Sequence, residues 1–296
     1  MLREIIEESE KLEEREKFAK KLSSLIFPLW IILLLFSSFL YSMSGKIEAL
    51  QDTYKLRSAL EEIITFMNYQ IISVILGGIL GVMIFLSIIL AERPSNLNKL
   101  GGIMFGISSV FDGFMAYELY NVKLLYQEIL QKFVLLTPEM MNNYMDMVQK
   151  HFSTIMTYNR LSAIFVGLAF VFFGVDSVRY SRRIRESLPK GYPIGIVVQA
   201  EYEMTKAINK IKSGASKLEW SGVLFLISGV LDIMFGILLA GEFANIAFIM
   251  FLMGLFLESM GIREIREGAT KLAPFMQTVS LKPEESEGEH GGIVSY

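Results

Sequence analysis

Two short stretches of the chain place a carboxyl group where a charge is costly. Residues 102–112 read GIMFGISSVFD and residues 222–232 read GVLFLISGVLD; the two match without a gap at Gly, Phe, Ile, Ser, Val and Asp. Asp112 and Asp232 thus recur at one place in a repeated segment. Four residues before each stands a serine, Ser108 or Ser228, which a helix sets on the same face as the acid. Carboxyls inside a bilayer are rare, face protein or water, and by default mark an ion, proton or solute path. The chemistry expected of this set is therefore binding of a transported cation or proton by Asp112 and Asp232, with Ser108 and Ser228 hydrogen-bonding the acids. The competing expectation is that each acid bonds a neighbouring helix and fixes packing. Duplication copies packing residues as faithfully as functional ones, so the repeat does not separate the two.

Other residues carry weaker signals. Asp176 ends the run FFGVDS and Glu258 ends GLFLES, each followed by arginine at Arg179 or Arg263, which suits acids anchored at a membrane interface. Met141, Met145, Met147 and His151 lie close in sequence, and thioether with imidazole is a soft ligand set suited to Cu(I). The chain has 17 Met, and a flexible apolar face is the more ordinary use of such a cluster, so no metal and no cofactor is expected. Gly77 with Gly81, and Gly102 with Gly106, form GxxxG steps that allow close helix approach.

The elements that hold these residues follow from composition. Of 296 residues, 52% are hydrophobic and 20% charged, with mean hydropathy +0.44, and the apolar residues are gathered into long runs. No charge occurs between Lys21 and Lys46 or between Glu62 and Glu92, each longer than the roughly 20 residues that cross a bilayer. Four more runs, near 100–118, 161–178, 220–241 and 243–260, bring the expected number of spans to six. The expected fold is an all-α integral membrane protein of three tandem helical hairpins, 23–92, 99–180 and 219–261, within a membrane domain covering 23–272. Spans 3 and 5 look like copies, as do spans 4 and 6. In the weaker first copy Tyr41 stands in place of the aspartate and Ser37 in place of the serine.

Outside the bilayer, residues 118–158 read as an external helical projection: Leu119, Tyr120, Leu124, Ile129, Leu130 and Phe133 keep helical spacing, and Thr137-Pro138-Glu139 signals a fresh helix start. Residues 1–22 read as a cytoplasmic amphipathic helix and 273–296 as a flexible tail. The stretch 181–218 reads as a cytoplasmic linker, broken at LPKGYPIG and followed by a basic amphipathic helix from Ile196 to Lys212 that would lie on anionic headgroups. For six spans, Lys and Arg number 21 on the side of the termini and 7 on the other, so both termini should be cytoplasmic in a multi-pass cell-membrane protein.

Several function classes have no visible machinery. There is no Cys, no phosphate-binding glycine loop, no HExxH and no GxSxG, and only two His; no enzymatic activity is expected. A net charge of -3 offers nothing to nucleic acid. The P-x-[DE]-x-x-[KR] signature of mitochondrial carriers is absent from the odd-numbered spans. The functions left are a transporter or channel for a small solute or ion, or a non-catalytic membrane scaffold or assembly subunit binding partners through its external hairpin and cytoplasmic helices. The partners would be the lipid bilayer, a second copy, or another membrane protein.

Overall fold

The computed structural model describes residues 53–89, 95–188, 198–238 and 241–280, together with Ser24 and Pro28. Five long helices account for nearly all of them: α1 (Thr53–Ile89), α2 (Asn96–Lys132), α3 (Pro138–Ser187), α4 (Val198–Leu238) and α5 (Gly241–Ser280), with one 3-10 turn, Phe133–Leu135, between α2 and α3. Each is long and apolar enough to cross a membrane. Lipid offers backbone groups no hydrogen-bond partner, so uninterrupted helices are the form such runs must take. The expected helix at 1–22, the first span with Ser37 and Tyr41, and the end of the tail lie outside the described residues.

Local chemistry sets the helix starts. Ser95 caps α2 by accepting from the Asn98 amide at 3.0 Å, and Thr137 caps α3 by accepting from the Met140 amide at 3.3 Å, with Pro138 at the first helical position. With 50 residues, α3 is roughly 75 Å long at 1.5 Å per residue, against a hydrocarbon core of about 30 Å. Its ends must stand outside the bilayer.

An apolar belt suits contact with lipid. Large hydrophobic side chains face outward over residues 72–89 of α1, 100–124 of α2, 220–238 of α4 and 246–260 of α5. These stretches are roughly 20 to 36 Å tall. Between 157 and 187, none of the large apolar residues of α3 is exposed, so α3 is the central helix, with α1 and α2 on one side and α4 and α5 on the other. Phe105, Phe170, Phe225 and Phe251 meet with Ile84 and Ile88 in the middle, and the Phe170 and Phe251 rings stack at 4.4 Å between centroids.

Small residues hold α4 between its neighbours. Along the α3 contact the facing pairs are Arg160 with Gly236, Gly167 with Gly229, Gly174 with Gly222 and Ser181 with Ala215, each seven residues from the next on both helices. Along the α5 contact they are Ala207 with Gly268, Gly214 with Gly261, Ser221 with Gly254 and Ser228 with Ala247, again at steps of seven. A Cβ added at Gly167 or Gly229 would lie 2.5 Å from the other's carbonyl oxygen. Ser181, Ser221 and Ser228 donate to carbonyl oxygens of the facing helix at 2.6, 2.7 and 2.8 Å. Apolar burial drives little helix association in lipid, where close van der Waals contact and interhelical hydrogen bonds supply the attraction. The GxxxG steps are used less evenly: Gly81, Gly102 and Gly106 abut Ser109, Ile88 and Phe85, whereas Gly77 has nothing nearby.

The helices continue past the belt at both ends, the α2–α3 turn lying at the end expected to be outer and the start of α4 at the end expected to be inner. On the outer side α1, α2 and α3 share an apolar core of Met67, Leu119, Val122, Val148 and Ile155, then Leu60, Ile129 and Tyr144. On the inner side Met204, Ile208, Ile211 and Leu218 pack against Ile184 of α3 and Ile262, Ile265 and Leu272 of α5. Residues 198–218 therefore do not lie flat on headgroups: they form the first half of α4, and their apolar stripe is covered by α5. Lys217 with Glu264, and Lys210 with Glu267, flank this seam. The tail also begins later than expected, since α5 runs through Pro274 to Ser280 with Leu272 and Phe275 packed inward.

Candidate functional site

Asp112 occupies a column of α2 that is otherwise apolar and buried, seven residues from Phe105 and from Leu119. It lies within the exposed apolar stretch of α2, between Val110 and Phe114. Ser162 of α3 donates to its Oδ1 at 2.7 Å, and the hydroxyls of Ser162 and Ser108 are 2.8 Å apart. A serine has one proton to give; with that of Ser162 committed to Asp112, Ser108 must be the donor to Ser162. The result is a directed chain from Ser108 through Ser162 to Asp112. Ser108 thus serves the acid through a third residue instead of bonding it directly. On the other side α1 closes in, because a Cβ on Gly78 would lie 3.4 Å from the Asp112 Cβ.

Asp232 holds the matching place on α4, next in the column Ile211, Leu218, Phe225, and six residues inside Leu238. Its serine behaves differently. Ser228 gives its proton to the Ala247 carbonyl of α5 at 2.8 Å, so that hydroxyl is not directed at the acid. Among the described residues Asp232 has no hydrogen-bond partner. The two aspartates sit in separate contacts: Asp112 is bonded to α3 and closed in by α1, while Asp232 lies on the α4 face between the α3 and α5 ladders.

The acids at the inner end are engaged within the protein. Ser177 donates to Glu258 Oε1 at 3.4 Å, linking α3 to α5. Asp176 is half-buried and has its own contacts. In the antiparallel register set by Ser108 against Ser162, it stands just below the first residues of α2, where the positive end of the helix dipole favours a carboxylate. Arg263 binds Glu267 at 2.8 Å.

The external cluster does not assemble around sulfur. His151 Nδ1 lies 2.5 Å from Glu118 Oε2 of α2. Met141 leans into the apolar cluster with Leu60, Ile129 and Tyr144, and Met145 and Met147 face outward. Among the described residues no three His, Asp or Glu side chains gather closely enough to hold a metal ion.

Sequence reasoning missed Ser162, Glu118 and the two seven-residue ladders. Glu118 had a readable signal, a lone acid within the apolar run FMAYELY. Ser162, in RLSAIF, had none. No family model, curated protein or solved structure matches the chain.

Proposed function

We propose that this chain is a non-catalytic membrane scaffold: six spans in three tandem hairpins, both termini cytoplasmic, with helical extensions on each side of the bilayer that bind partners. The observation that carries this reading is the pair of small-residue ladders locking α4 between α3 and α5 from the inner extension to the outer half of the belt. Helices in backbone contact at every second turn slide or rock only by giving up those contacts together. Solute carriers commonly use broken helices at the midplane and rocking of one bundle against another; α1 to α5 run through the belt unbroken. Partners would meet the outer projection of α1, α2 and α3 or the inner ends of α3, α4 and α5.

A second reading is favoured by one observation, the hydrogen-bonded chain Ser108–Ser162–Asp112. In it Asp112 and Asp232 carry a proton or small cation, supported by Ser108 and Ser228. Flux separates the two. Purified full-length protein in proteoliposomes, given a pH, Na⁺ or K⁺ gradient, should leak no faster than empty vesicles. Flux that Asp112→Asn with Asp232→Asn abolishes would establish the transporter and remove the scaffold.

A further inference from the structure

We propose that the inner end of α3 is a binding shelf for the phosphodiester headgroup of anionic phospholipids, formed by Arg179, Arg182 and Arg183. The inference goes beyond the scaffold reading and needs only that the belt is embedded with the basic side of the chain facing an anionic leaflet.

Three features of the fold converge there. The α2-facing column of α3 runs Ser162, Ala169, Asp176, Arg183 at steps of seven, and in the same antiparallel register the first residue of α2 lies level with Gly174. Below that level α3 continues for thirteen residues to Ser187, and among the described residues no part of α1 or α2 accompanies it. Among the described residues neither α1 nor α2 covers this face at that level, and it presents Arg183 with Arg179 one turn above and Arg182 alongside, all three exposed.

The other basic groups of the inner extension are mostly neutralised inside the protein. Arg185 is held by Glu219 at 2.7 Å, Lys210 by Glu267 and Lys217 by Glu264. Arg179, Arg182 and Arg183 have no ion pair among the described residues. The carboxylates on the same side are Asp176, already engaged, and Glu186, exposed one turn further from the membrane. A net positive charge remains at the level of the inner headgroups. Arginine also suits the ligand, because its planar fork of donors matches two phosphate oxygens at once.

Spin-labelled lipid in vesicles containing the full-length protein tests this. Labelled phosphatidylglycerol should be immobilised at the protein with a preference of about fivefold over labelled phosphatidylcholine, the size expected for a site worth about one net surface charge. Replacing all three arginines, Arg179→Gln, Arg182→Gln and Arg183→Gln, should bring the ratio close to one. Lys210→Gln with Lys217→Gln, which removes two cations already paired, should leave it unchanged. For the unaltered protein, raising salt to about 0.5 M should remove most of the preference, because screening then acts within about 4 Å. Inorganic phosphate at constant ionic strength should leave it intact. No preference in the wild type, an undiminished preference in the triple variant, equal loss in the lysine control, indifference to salt, or displacement by inorganic phosphate would each overturn the proposal.

Discussion

Gly167 of α3 and Gly229 of α4 face each other so closely that a methyl group on either would lie 2.5 Å from the other's backbone oxygen. The contact leaves no flexible side chain to yield, so the helices themselves would have to part. Gly167→Ala should therefore destabilise the protein by about 1–3 kcal/mol, as overpacking of a tight contact does. Gly77→Ala, with nothing within 4 Å of its new methyl, should be neutral or mildly stabilising through helix propensity. Unfolding in mixed micelles would reveal the difference; equal effects of the two would mean the ladder is not a tight seam.

Ser162→Ala removes the donor to Asp112 and strands the Ser108 hydroxyl. Interhelical hydrogen bonds in membranes average about 0.6 kcal/mol and reach about 1.7. A double-mutant cycle of Ser162→Ala with Asp112→Ala should give a coupling in that range. Ser228→Ala with Asp232→Ala should show none, since that serine bonds the Ala247 carbonyl instead. Coupling in the second pair and not the first would invert the assignment.

Outside the belt, Lys210 and then Arg263 hold the Glu267 carboxyl down to about 2. A depressed folded value contributes stability that is present above the ordinary carboxylate range near 4.5 and disappears as pH falls towards 2. The unfolding midpoint should fall across this window, and Glu267→Gln should flatten part of that fall. The group is exposed, so the effect should also shrink in high salt. A slope unaltered by Glu267→Gln would remove this ion pair from the acid response.

What the sequence disclosed, and what it hid, follows from how far each signal reaches. Apolar runs announced the helices after residue 53, and Thr137-Pro138-Glu139 announced the start of α3, because span length and capping are local properties. The amphipathic pattern from Ile196 to Lys212 points to the membrane surface only because an apolar stripe of Met204, Ile208 and Ile211 looks the same whether lipid or another helix covers it. The cover here, Ile262, Ile265 and Leu272, lies some fifty residues away. The ladders are hidden for a related reason: a GxxxG step spans four residues, while the seam uses steps of seven shared among Gly, Ser and Ala. Asp112 and Asp232 were legible as lone acids in apolar runs, and their unequal serines were not, because similar sequence does not guarantee a similar hydrogen bond.

The claim on which the account turns is that α3, α4 and α5 form one rigid unit. Spin labels on an outer pair, Met156→Cys with Ile237→Cys, and on an inner pair, Arg182→Cys with Lys212→Cys, introduce the only cysteines in the chain at exposed positions. Pulsed electron–electron distance measurements in lipid nanodiscs at pH 5 and pH 8, with and without Na⁺ or K⁺, should return one narrow distribution for each pair, the same under every condition. Two populations that exchange with pH or ion, the outer distance growing as the inner one shrinks, would contradict it and describe a transporter.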